Sequence, residues 1–176
     1  MKYILLSVLI ILAGCVNAEE NIKPLESPNT DFDIPAGMIE KFKLNNWKFG
    51  SNQCVEFSLN KPYNTTNFLA NVMFYVKGKS DKEISKIMLF TEHRDSKLLT
   101  LAYIGNDKDY RIIQQNINFG EVVKFNIIFT NNQTIGIKLA YSEFSIPLKF
   151  KINSVIVGAS SSQATAKILE KPDCNG

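Results

Sequence analysis

Apolar residues recur at every second position through the last third of this chain, and that period admits few folds. Across 121–129 the set Val123, Phe125, Ile127 and Phe129 alternates with Val122, Lys124, Asn126 and Ile128, the repeat of a strand with one better-buried face. Thr130-Asn131-Asn132-Gln133 then reads as a turn, since asparagine tolerates positive φ. Ile135, Ile137 and Leu139 alternate with Gly136, Lys138 and Ala140 on a returning strand. Phe144, Ile146, Leu148 and Phe150 alternate once more with Ser145, Pro147, Lys149 and Lys151. Pro147 cannot donate a ladder hydrogen bond, so this strand is expected at a sheet edge or a bend.

Shorter segments of the same kind are expected as strands at 54–59, 68–77, 86–91, 98–104, 110–115, 155–158 and 164–169. Polar clusters such as 60–67, 77–82, 92–97 and 105–109 separate them, and no stretch of helical period is long enough to build βαβ units. About ten strands at this spacing predict an all-β fold, an antiparallel sandwich or jelly roll. The segment 38–49 stays open between a strand and one short helix, with Ile39, Phe42 and Leu44 suiting either.

The other end of the chain speaks to location. An apolar run of nine residues, 4–12, follows Lys2 and ends in Leu12-Ala13-Gly14-Cys15. A span needs roughly 20 residues, so this run fits a secretory leader. Leu12-Ala13-Gly14-Cys15 resembles the lipobox of bacterial lipoproteins. The resemblance implies removal of residues 1–14, a diacylglyceryl group on the Cys15 thiol, palmitate among the acyl chains, and membrane attachment. Because Val16 rather than Asp follows Cys15, it also implies sorting to the outer membrane of the cell envelope. Ordinary cleavage after Val16-Asn17-Ala18 is the competing reading and would release a soluble product.

Residues 15–36 hold three prolines and five acids with almost no hydrophobic periodicity, which predicts an extended tether. Residues 37–176 leave about 140 positions, the size of one domain. The whole chain is 45% hydrophobic and 21% charged, with a formal charge of +3. Its 18 lysines and two arginines are spread singly, without the clustered basic face that nucleic acid binding requires. With Cys15 assigned to the anchor, Cys54 and Cys174 remain, and an even pair in an exported domain favours a bridge over two free thiols. Such a loop of about 120 residues is stabilised by somewhat under 5 kcal/mol at most in the chain-entropy description. Two cysteines and the single histidine, His93, do not furnish a spaced metal-ligand set, and no cofactor motif is present.

The order GEVVKFNIIFT, QTIGIKLA, FSIPLKF and SVIVGASSSQATAKIL resembles the C-terminal half of concanavalin A-like and laminin G-like sandwiches. That resemblance implies recognition of a glycan or protein, in some members polysaccharide cleavage, on a sheet face or its rim loops. The galectin-type His-x-Asn-Pro-Arg run and the Tyr-Phe-Lys-Ala-Gly segment of alginate lyases on this fold have no counterpart. Trp47, the only tryptophan, precedes the sandwich strands and is expected to pack.

Elimination then weighs against catalysis. His93 lies in a charged turn, Thr91-Glu92-His93-Arg94-Asp95, with no Gly-x-Ser-x-Gly elbow anywhere. Glu92, Asp95, Glu121 and Glu143 are candidates for a hydrolytic pair only because they are acids. The expectation is a chain with no catalytic residues. For binding, Val72, Phe74 and Val76 oppose Met73, Tyr75 and Lys77, while Leu99, Leu101 and Tyr103 oppose Leu98, Thr100, Ala102 and Ile104. One set fills the core, and Tyr75, Tyr103 and Tyr110 with Arg111, His93 and Arg94 are the candidate ligand-binding residues. The alternative places the tyrosines under loops. Asn64-Thr65-Thr66 and Asn132-Gln133-Thr134 are glycosylation sequons that matter only in a eukaryotic secreted glycoprotein. A lipid-anchored recognition module, an accessory envelope protein and a polysaccharide-active enzyme remain the functional classes.

Overall fold

The computed structural model describes residues 22–65, 68–105, 109–140, 142–169 and 174. The leader, Cys15 and residues 16–21 of the expected spacer lie outside them. Thirteen strands make up the fold: β1 (Lys23–Pro24), β2 (Asn29–Asp33), β3 (Ile39–Lys43), β4 (Asn52–Pro62), β5 (Asn71–Lys77), β6 (Ile84–Phe90) and β7 (Leu99–Ile104), then β8 (Tyr110–Ile117), β9 (Val123–Asn131), β10 (Thr134–Leu139), β11 (Ser142–Pro147), β12 (Ser154–Ser160) and β13 (Ser162–Leu169). They form a seven-stranded sheet ordered β1-β3-β12-β5-β6-β7-β8 and a six-stranded sheet ordered β11-β10-β9-β4-β13-β2. Every pairing is antiparallel except the two-residue contact of β1 with β3. All ten expected strands are present, and the fold is an all-β sandwich. The hairpin of β9 and β10 turns at Asn132-Gln133, fixed by the Gln133 N–H donating 2.8 Å to Asn131 Oδ1. β11, with Pro147 at its end, is an edge strand.

Residues directly opposed in an antiparallel pair share a sheet face, so register decides what is inside. Val157, Phe74 and Ile87 stand in one row with Tyr103, and all four belong to the core. From the facing sheet come Val55, Phe57, Phe125, Ile127, Phe129, Ile135 and Ile137. The two outer faces differ in kind. On the six-stranded sheet Glu56 pairs with Lys124 at 3.1 Å and lies 4.0 Å from Lys167. On the seven-stranded sheet Met73, Tyr75 and Ile156 form a second buried apolar cluster, packed by Ile22, Ile84 and Met88.

The first two strands depart from expectation. The stretch expected to be a tether contains β1 and β2, and β2 pairs with β13 along Asp33↔Gln163 to Asn29↔Lys167. Its one large inward side chain, Phe32, meets Phe42 of β3 at 6.0 Å between ring centroids and closes that side of the sandwich. A strand with a single apolar anchor among Asn29, Asp31 and Asp33 carries no visible period. The open segment 38–49 resolves as strand β3.

Chain crossings between the sheets place the loops. Between β12 and β13 the sheets are joined by Ser161 alone, a buried residue at φ 48° whose hydroxyl accepts the Gly37 N–H at 2.9 Å. Cys54 is bonded to Cys174, which brings that residue against β9: the Cys174 N–H donates 3.2 Å to Asn126 Oδ1.

Candidate functional site

Four loops separated by up to about a hundred positions meet at the end of the sandwich where β4 and β12 begin. They are 44–51, 78–83, 132–133 and 148–153. Backbone bonds lock them together: Ile152 N–H to Asn132 O at 2.8 Å, Asn153 N–H to Lys77 O at 2.8 Å, Leu148 N–H to Gln133 O at 2.7 Å, and Gly50 N–H to Phe129 O at 2.7 Å. Between them lies a cleft of about 450 Å³ lined by Phe49, Lys79, Glu83, Asn132, Lys151, Ile152 and Asn153, within the size range of small-molecule sites.

The local sequence explains why an aromatic ring stands at its wall. Trp47 packs on core residue Phe129, 5.4 Å between centroids, and meets Phe49 edge-on at 5.3 Å and 85°. Gly50, at φ 77°, turns the chain immediately afterwards, a conformation that costs a glycine nothing. Phe49 is thereby held out with half its surface exposed. Trp47 is the packing residue it was expected to be, and the ring it supports is the exposed one.

The polar wall is equally defined. Glu83 folds over Gly78, where a Cβ would stand 2.7 Å from Glu83 Cβ, and its carboxylate accepts the Ser80 N–H at 3.0 Å. The side-chain amides of Asn132 and Asn153 hold no hydrogen bond among the described residues, and no carboxylate there is paired with Lys79 or Lys151. An apolar ring face beside amide and ammonium donors suits a ligand with one apolar surface and many oxygens.

Further hollows lie elsewhere, one of about 210 Å³ being lined by Glu92, Lys97, Thr100 and Asn116. Another of about 300 Å³ at the opposite end is lined by Asp33, Pro35, Ala36 and Tyr63. There the Tyr63 hydroxyl donates to Asp33 Oδ1 at 3.1 Å and Lys61 Nζ lies 5.3 Å from the Tyr63 ring centroid, so the polar groups engage one another. A third, about 320 Å³, lies between Leu25–Pro28 and Leu44, Gln53 and Ile168. Among the described residues no three His, Cys, Asp or Glu side chains gather as a metal site.

The candidate residues named from sequence are not brought together. Tyr103 faces the core, 7% exposed, its hydroxyl donating 3.3 Å to Ser85; burial pushes its phenol above the usual range. Tyr75 lies on the outer face of the same sheet, 6% exposed under the Met73 and Ile156 cluster. Both sets of residues on these strands are apolar, so alternation alone could not phase them. Tyr110 is half-exposed on that outer face, opposite Ile104. Tyr75 and Tyr110 are separated by β6 and β7, about 14 Å at the usual strand spacing. Arg111 stacks on Phe144 of the other sheet. His93 and Arg94 occupy the β6–β7 turn at the far end from the cleft, where the His93 N–H donates to Ser96 Oγ and Arg94 O accepts from Asn64 Nδ2, each at 2.8 Å.

Similar solved structures share the general chain path. The carbohydrate-binding module CBM66 from Bacillus subtilis is 8% identical, with 85% of this chain and 96% of the module covered at a TM-score of 0.48. A homodimeric agglutinin from chicken liver is 12% identical, covering 74% and 100% at 0.43. A prokaryotic β-1,3-1,4-glucanase (lichenase) derived from a mouse hindgut metagenome is 8% identical, covering 73% and 68% at 0.45. No protein-family model and no curated protein matches this chain. At these identities and scores the likeness transfers no ligand. It does correct one expectation: an enzyme stands among the similar structures, so the elimination that argued against catalysis does not hold.

Proposed function

We propose that this chain is a lipid-tethered carbohydrate-recognition protein of the cell envelope and that glycan is taken at the Phe49 cleft. One observation carries the binding half: a half-exposed phenylalanine, backed edge-on by Trp47, forms one wall of a cleft whose other walls offer uncommitted amides and ammonium groups. A pyranose has an apolar C–H face for the ring and equatorial hydroxyls for the donors. Support for the tether comes from Leu12-Ala13-Gly14-Cys15 behind a short apolar run, with Cys15 as the acylated residue and the outer membrane as the destination suggested by Val16. Several acyl chains make such attachment lasting, at about 0.8 kcal/mol per buried methylene.

A glycan array probed with the wild-type chain and with Phe49→Ala tests the binding half. Retention of at least one oligosaccharide class is expected, weakened about tenfold or more in the variant, with a melting temperature within about 3 °C because the ring is half-exposed. Equal retention by both proteins would place the ligand elsewhere. Reducing-sugar release in the same wells reports turnover. Labelled palmitate should enter the wild-type protein in cells and not Cys15→Ser; a label independent of Cys15, or no label at all, rules the tether out.

A further inference from the structure

Charge around the cleft narrows the class of sugar, a step that rests on the cleft being the glycan site. The segments 44–51, 77–83, 131–133 and 148–153 carry six lysines, at positions 48, 77, 79, 82, 149 and 151, against the carboxylates of Asp81 and Glu83. Both carboxylates are engaged. Asp81 pairs with Lys77, whose hydrogen bond holds its carboxyl below the usual range, and Glu83 accepts the Ser80 N–H. Asp109 is the one described charge of the adjoining β7–β8 loop. At the opposite end, segments 34–38, 63–70, 91–98 and 160–162 hold Glu92 and Asp95 balanced by Arg94 and Lys97. With Glu26 of the neighbouring segment 25–28 and Asp109 counted, six lysines stand against four carboxylates among the described residues at this end, while Glu121 adds an acid at the other, so the positive excess lies at the cleft mouth.

We infer that the cleft selects an anionic glycan. A uronate carboxylate, or a sulfate or phosphate borne on a sugar, lies between Lys79 and Lys151 while the ring's apolar face rests on Phe49. A neutral sugar would leave two ammonium groups at the cleft wall opposed by the single carboxylate of Glu83, whereas hydrogen bonds from an ammonium to an anion are roughly twice as strong as neutral ones. Because both lysines are exposed, the attraction is screened by salt and serves selectivity more than tightness.

The test is calorimetry or affinity electrophoresis of the full chain at near-physiological salt against four polymers: polygalacturonate, carrageenan, a neutral galactan and inorganic polyphosphate. Wild type is compared with Phe49→Ala and with the double variant Lys79→Gln/Lys151→Gln, whose exposed positions leave folding intact. Binding of polygalacturonate or carrageenan, lost about tenfold or more in the lysine variant and also in Phe49→Ala, is the expected result; which polymer is preferred tells carboxylate from sulfate. Equal or tighter binding of the neutral galactan, sensitive to Phe49 but not to the lysines, overturns the anionic class and leaves the glycan site standing. Polyphosphate bound as tightly as the sugars with no dependence on Phe49 is ion exchange, and overturns both readings. No binding to any polymer does the same.

Discussion

The guanidinium of Arg111 lies 4.2 Å from the centroid of the Phe144 ring, joining the last strand of one sheet to the last strand of the other. Arg111 stands opposite Tyr103, on the inward side of β8, and Phe144 packs against the core from β11. The pair does on this flank what Phe32 and Phe42 do on the other. A cation over a ring at a partly exposed site contributes about 0.5–1 kcal/mol.

Arg111→Ala is therefore expected to lower stability by about 0.5–1 kcal/mol in urea titration and to leave glycan retention unchanged. Arg111→Lys keeps the charge but loses the planar stack, and should fall between the two. Unchanged stability together with lost retention would instead return Arg111 to the ligand.

The bond between Cys54 and Cys174 closes a separation of 120 residues. Replacing both by serine should cost about 4 kcal/mol, near the chain-entropy figure for a loop of this length. Urea midpoints with and without reductant measure it, and a loss below about 1 kcal/mol would mean that the unfolded chain is compact enough to need no such restraint.

Gly158 sits where β12 passes β3, opposite Lys41 and Met73. A Cβ there would lie 2.6 Å from the Glu40 carbonyl oxygen, which is backbone and cannot swing away. Gly158→Ala should push β3 off the sheet and destabilise by about 1–3 kcal/mol. Faster hydrogen exchange confined to β1 and β3 is the accompanying signature.

Burial raises the Tyr103 phenol pKa above its ordinary value of 10, with the Ser85 hydroxyl opposing and Asp109 adding. Above pH 10 the unfolded chain releases this proton while the folded chain keeps it, so stability falls as pH rises through the folded value. Tyr103→Phe should flatten the decline above about pH 10. Lys86 acts oppositely: burial, reinforced by Lys41, lowers its pKa, so stability gains as pH climbs toward its unfolded value of 10.5. Urea midpoints of wild type and Tyr103→Phe across this range separate the two, and identical slopes would contradict burial of the phenol.

Strands were legible where one face is apolar for at least three turns of the two-residue period, as in β9 and β10, and Pro147 marked its own edge. β2 was hidden because Phe32 alone faces inward among acids. Phase failed where both faces are apolar: the alternation in β5 and β7 is equally good either way, and only the opposition of Phe74, Ile87 and Tyr103 settles it. The cleft was illegible for another reason. Phe49, Lys79, Asn132 and Lys151 come from four loops, and only the pairing of β4 with β9 and of β5 with β12 makes them neighbours. The local hint was an aromatic pair broken by glycine, Trp47-Lys48-Phe49-Gly50.

One residue, Ser161, carries the chain from β12 of one sheet to β13 of the other, at the end remote from Phe49. At the cleft end the same crossings take eight residues between β3 and β4 and six between β11 and β12. A link of one residue leaves no slack between the layers at that end, so any change of chain length between the sheets falls on the longer cleft-end crossings, which can lengthen without shifting a strand.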